Sequence, residues 1–155
     1  MEVAFCWVRD IPGLANRAGQ PAVDGSGNVY LTGSSNASGT GPDYATIKYC
    51  PNGDTAWVKR YSGPGNSTDR AHAVTVDGSG NVYMTGYGRF TDTGQEYVTI
   101  KYYPNGDTAW MRRHNGPSNL DDWLDDIAVD SDNRRIHNVA IYIEESDDIF
   151  AFRNP

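Results

Sequence analysis

Cysteine is nearly missing: Cys6 and Cys50 are the two in 155 residues. They are too few for a disulfide framework and too far apart for a CxxC metal pair, so both are expected to be buried free thiols. Basic residues are scarce as well. Thirteen Lys and Arg against 20 Asp and Glu leave a formal charge of −7, and no Lys/Arg run is longer than two residues. A groove that tracks phosphates has little to work with, which argues against a nucleic-acid partner. No apolar run approaches a membrane span or a signal-peptide core; Val3–Val8 is far too short. No membrane partner is therefore expected. Catalytic signatures are also lacking: there is no Gly-x-Ser-x-Gly, Walker or Cys-His arrangement, and His72, His114 and His137 share no metal-ligand spacing. The expectation is a protein that is not an enzyme and needs no cofactor.

What the chain has in quantity is glycine, tyrosine and tryptophan: 17, 10 and 4 residues, with 38% hydrophobic residues overall. Helix-favouring Ala-Leu-Glu-Lys runs are absent. Such a composition favours short strands joined by tight turns, hence an all-β fold. A repeat then organises the sequence. Val23-Asp-Gly-Ser-Gly-Asn-Val-Tyr-Leu-Thr-Gly33 returns 53 positions later as Val76-Asp-Gly-Ser-Gly-Asn-Val-Tyr-Met-Thr-Gly86. At the same offset Tyr44-Ala-Thr-Ile-Lys-Tyr49 answers Tyr97-Val-Thr-Ile-Lys-Tyr102, and Pro51-Asn-Gly-Asp-Thr-Ala-Trp57 answers Pro104-Asn-Gly-Asp-Thr-Ala-Trp110. A period of this length belongs to propellers and solenoids.

The second copy reads as four strands. Residues 71–77 form the first and 82–88 the second, separated by the turn Asp77-Gly-Ser-Gly-Asn81. Residues 96–103 form the third, where Tyr97, Thr99 and Lys101 alternate with Val98, Ile100 and Tyr102 in the two-residue period of a sheet. Asn105-Gly106 marks a hairpin into the fourth, residues 108–114. The unit is a four-stranded antiparallel meander, the construction of a propeller blade. Blades are expected over 18–61 and 71–114, an incomplete one lacking its fourth strand over 124–153, and a lone fourth strand over 3–9 in which Trp7 aligns with Trp57. The reading is a β-propeller with about three blades per chain. Three blades cannot close a ring, and an open arc leaves apolar faces and strand edges in water. A homodimer that exchanges N-terminal strands and closes a ring of six is the expectation; a fragment of a longer propeller protein is the alternative.

Taken together, these three motifs resemble the bacterial β-propeller repeat family known as SBBP, over about residues 18–130. The resemblance implies a propeller in secreted or cell-surface proteins, acting as an interaction module. It carries no catalytic residues.

Candidate sites lie where the repeat decays. The acidic cluster around Asp122, Asp125 and Asp126 is the densest charge feature. Trp123 stands where the previous copy has Arg70, beside Asp122 and Asn119, and could stack on a sugar face while the polar groups bond its hydroxyls. Asn119, Asp122, Trp123, Asp125 and Asp126 are therefore the ligand-binding candidates, for a protein or glycan ligand. Asp24 and Asp77, whose Asp-Gly-Ser-Gly-Asn loops offer oxygens at alternating positions, and Asp130, the counterpart of Asp77 53 positions on, are calcium candidates. The glycine and glutamate that an EF-hand loop needs are replaced there, so a plain turn with Asp accepting backbone N–H bonds explains the motif better. The leading function is a non-enzymatic binding or scaffold module; a carbohydrate-binding lectin of oligomeric-propeller type is the alternative.

Overall fold

A computed structural model of the chain describes residues 14–19, 21–36, 41–64, 68–91, 94–114, 124–129, 139–143 and 149–152. Among them there are strands and turns and no helix. The first sheet contains β1 (Leu14–Ala18), β2 (Ala22–Val23), β3 (Val29–Asn36), β4 (Pro42–Tyr49) and β5 (Thr55–Tyr61), ordered β1-β3-β4-β5 with β2 also on β3. The second contains β6 (Arg70–Val76), β7 (Val82–Phe90), β8 (Gly94–Tyr102) and β9 (Thr108–His114) in sequential order. A three-stranded sheet follows, built from β10 (Leu124–Val129), β11 (Val139–Ile143) and β12 (Ile149–Phe152). All pairings are antiparallel. The fourth strand expected over residues 3–9 lies outside the described residues.

The two kinds of hairpin turn share one geometry. In Asp77–Asn81 the Gly80 N–H donates to the Asp77 carbonyl and the Asp77 N–H to the Asn81 carbonyl, with Gly80 at φ 79°. In Tyr103–Asp107 the Gly106 N–H donates to the Tyr103 carbonyl and the Tyr103 N–H to the Asp107 carbonyl, with Gly106 at φ 89°. Each is a three-residue loop whose glycine takes the left-handed conformation that a Cβ disfavours. The inner strands β6 and β10 also share a register irregularity, between Ala71 and Ala73 and between Leu124 and Ile127. In the first sheet the corresponding strand is interrupted outright, giving β1 and β2. That sheet begins at Leu14 because Leu14 and Ala15 pair with the end of β3, at Ser35 and Ser34.

Strand alternation gives the first and second sheets two unlike faces each. On one face of the first sheet stand Tyr30, Thr32, Tyr44, Thr46, Trp57 and Tyr61, brought together by the register of β3 on β4 and of β4 on β5. Thr32 and Thr46 hydroxyls meet at 3.2 Å in its middle. The opposite face of the second sheet is mainly aliphatic, with Val82, Met84, Val98 and Ile100 between Tyr102 and Phe90. These two faces form the main core, where Tyr30 and Tyr44 pack with Val82, Met84, Val98 and Ile100, flanked by Trp57 and Tyr61. Each such side chain, fully withdrawn from water, stabilises the fold by roughly 1.5–3 kcal/mol. The next joint repeats the arrangement. Tyr83, Tyr97 and Trp110, on the aromatic face of the second sheet, pack with Ile127 and Val129 of β10. Sheets thus stack aromatic face on aliphatic face, in chain order.

Candidate functional face

A meander sorts its connections by end. The turns joining first to second and third to fourth strands lie at one end of each sheet; the second-to-third loop and the connector to the next sheet lie at the other. The two ends are called the turn end and the loop end.

At the turn end the Asp77 carboxylate organises its own loop. Its Oδ1 accepts the Ser79 and Asn81 N–H groups at 2.9 Å each, and its Oδ2 accepts the Asn81 amide at 2.8 Å and the Tyr83 hydroxyl at 3.1 Å. Asp24 does the same with Ser26, Asn28 and Tyr30. Burial pushes the Asp77 carboxyl up, but the bonds from Asn81, Tyr83 and Ser79 outweigh it and hold the pKa below the ordinary value. Both oxygens of both aspartates are thereby engaged by donors from within the turn. Among the described residues no cluster of three or more His, Cys, Asp or Glu side chains is placed to hold a metal ion. Asp130 lies outside the described residues.

The loop end works over longer range. Asp69, in the connector from β5 to β6, is fully buried. Its Oδ2 accepts the Gly63 N–H at 2.6 Å and its Oδ1 the Arg89 N–H at 3.2 Å. Its backbone N–H donates to the Pro42 carbonyl at 2.7 Å, and its carbonyl accepts the Ser34 hydroxyl at 3.4 Å. One residue therefore clasps β3, β4 and the connector to the end of β7. The clasp also explains two glycines: a Cβ on Gly88 would stand 2.9 Å from Asp69 Oδ1, and one on Gly63 3.0 Å from it. Burial drives the Asp69 carboxyl above its ordinary value, the two backbone donors pull it back in part, and the nearby Asp43 charge adds to the rise.

Beside the clasp, Arg113 forms a two-pronged bond to buried Glu96, Nε to Oε2 at 2.9 Å and Nη2 to Oε1 at 3.0 Å, and lies over the Phe90 ring. Among the described residues, Ser35 Oγ, the Tyr44 hydroxyl and Gln95 Oε1 are buried without a hydrogen-bond partner. All three are at the loop end, on β3, β4 and β8.

The residues singled out from sequence fall partly beyond this description. Asn119, Asp122 and Trp123 lie outside the described residues. Asp125 and Asp126 are in β10, at the register irregularity between Leu124 and Ile127. Asp125 thus holds the place that His72 holds in β6, where the His72 ring lies 5.3 Å from Tyr87. Asp69 was not among the candidates. The one signal pointing to it is that Asp122 answers it 53 positions later.

Among the described residues the antiparallel meanders stack face to face and there is no helix, an all-β arrangement consistent with propeller blades. A family model, the SBBP beta-propeller repeat, matches residues 56–91. The match runs from β5 through the Asp69 connector to the end of β7, so it spans the joint between two sheets. Comparison with curated proteins finds no match.

Proposed function

We propose that the chain is a non-enzymatic binding or scaffold module of propeller type, with the loop end as its ligand-facing surface. The observation that carries this reading is the contrast between the ends. In the first two sheets the turn end is repeated letter for letter and satisfies its polar groups locally, whereas the loop end differs between them and keeps buried polar atoms without partners. Loops held on a rigid sheet scaffold are where binding residues concentrate. A glycan array and an array of soluble proteins, probed with the full chain, test it. Binding that survives Ser26→Ala at the turn end but is lost on Trp123→Ala is expected; loss from the turn-end change alone would overturn the assignment. Glycan binding that depends on Trp123 would make the module a lectin.

The proposal extends to assembly. An aromatic face on an aliphatic face is a heterologous contact, which continues until a ring closes or a filament grows. Two copies closing a ring of six blades is the reading we favour, with a segment of a longer propeller protein as the alternative. Light scattering should give twice the chain mass; a single-chain mass with an intact β spectrum would sink the dimer. A secreted or cell-surface setting is supported by the family resemblance.

A further inference from the structure

The chain carries Pro-Asn-Gly-Asp-Thr-Ala-Trp twice, at 51–57 and 104–110, each time opening with the hairpin that leads into the last strand of a sheet. Local geometry is the same in both. Gly53 N–H donates to the Cys50 carbonyl at 2.9 Å and Gly106 N–H to the Tyr103 carbonyl at 2.8 Å, with the glycines at φ 88° and 89°. The Asn52 and Asn105 amides donate to the Asp54 and Asp107 carboxylates at 2.7 and 2.8 Å, and both asparagines are exposed.

What lies over the two hairpins differs. Trp57 Nε1 donates to the Pro104 carbonyl at 3.1 Å, with Lys48 Nζ on the same oxygen at 3.3 Å. The indole lies against Gly106, where a Cβ would stand 3.0 Å from Trp57 Cγ, and its ring centroid is 5.9 Å from that of Tyr102. Gly106 is buried. The first sheet thereby holds the chain on both sides of Asn105. Gly53 is exposed, no described atom stands within 4 Å of a Cβ built on it, and no donor among the described residues reaches the Pro51 carbonyl.

An asparagine followed by glycine has a nucleophile next to its own side chain. The glycine nitrogen, having lost its proton to solvent base, attacks the asparagine Cγ; the bond from Cγ to the side-chain nitrogen breaks, ammonia leaves with a proton returned from solvent, and a cyclic succinimide remains. Water then opens the ring at either carbonyl, giving aspartate or isoaspartate with no net oxidation or reduction. Glycine brings no Cβ to hinder the attack. In either hairpin the glycine N–H must first release its carbonyl partner and the asparagine must leave the turn conformation, so the rate follows local opening.

We propose that Asn52 is a site of spontaneous deamidation and that Asn105, within the same seven-residue sequence, is protected by the seat of Trp57 and Lys48 on its hairpin. Opening at Asn52 breaks the bonds of the turn alone, whereas opening at Asn105 must also lift Gly106 from the indole and release the Pro104 carbonyl. Conversion adds a negative charge to the turn end of the first sheet, and in the isoaspartate form an extra backbone carbon. It requires no ligand at the loop end and no second copy.

Ageing of the full chain in mildly alkaline buffer, with its proteolytic peptides weighed at intervals, tests the proposal. Asn52 should convert about tenfold faster than Asn105, the effect on local opening of one or two hydrogen bonds. In denaturant the two should convert at one rate, because their flanking residues are identical. Equal rates in the folded chain, faster loss of Asn105, or an Asn52 that stays intact while the denatured chain converts would each overturn the proposal. Unequal rates in denaturant would do so too, by tracing the difference to something other than the fold. Trp57→Phe, which keeps a ring but loses the N–H, and Lys48→Met should each speed conversion at Asn105 and leave Asn52 unchanged; an Asn105 rate that neither alters removes the protection claimed for the seat.

Discussion

The two ends of these sheets solve the same problem, the placing of carboxylates in a β fold, by opposite means. At the turn end, Asp24 and Asp77 sit within six residues of every donor they use, and the identical loop serves the first sheet and the second. At the loop end, Asp69 draws on Gly63 and Arg89, 6 and 20 residues away, and on Pro42 across the joint. One arrangement belongs to a hairpin and the other to the contact between hairpins. A repeat can duplicate the first without regard to its neighbours, whereas the second exists only where two sheets meet.

Removing the long-range carboxylate should have the larger effect. Asp69→Ala leaves the buried Gly63 N–H and the part-buried Arg89 N–H without their acceptor and is expected to cost about 3 kcal/mol in urea unfolding. Its damage should spread across the joint, so native-state amide exchange in β3 and β7 should rise together. Unchanged protection in β3 would mean that the clasp is local after all. Asp77→Ala removes four accepted bonds, but from a turn that water reaches. We expect about 1.5 kcal/mol, with faster exchange confined to residues near 77–83; a loss as large as that of Asp69→Ala would erase the distinction between the ends.

The smallest and most diagnostic effect is the dependence on pH. The folded pKa of Asp77 lies below its ordinary 3.8, so its contribution to stability is present above that value and lost as pH falls through the folded pKa. The folded pKa of Asp69 lies above 3.8, so its contribution is present below that value and lost as pH rises through the folded pKa. Between about pH 2 and pH 6 the stability of the wild type should therefore rise relative to Asp77→Asn and fall relative to Asp69→Asn. Slopes of the same sign for both would refute the opposed environments.

How much of this was legible beforehand follows the same division. The Asp-Gly-Ser-Gly-Asn turns could be read because five consecutive residues carry the glycine at positive φ and every donor but the tyrosine hydroxyl. The alternation of Tyr97, Thr99 and Lys101 with Val98 and Ile100 likewise marked residues 96–103 as a strand, which the structure places within β8 but for Tyr103. Which face meets which was not legible, because Tyr30 on Val82 and Trp57 on Gly106 are contacts between copies, invisible to any window within one. Asp69 escaped notice for the same reason: it stands in a connector, and its partners come from β3, β4 and β7 as well as from that connector. The acidic cluster drew attention by density, yet density says nothing about geometry, and the structure describes only its Asp125 and Asp126, within β10.

The seat of Trp57 on Gly106 has a consequence for how such chains change length. Plug and socket, an indole on the fourth strand and a bare glycine hairpin between the third and fourth, are encoded within a single 53-residue unit. Insertion or loss of one whole unit therefore preserves every joint it touches, while a change of a few residues within a unit mismatches two of them. For this architecture, blade number should evolve in steps, by recombination between near-identical copies, far more readily than blade size.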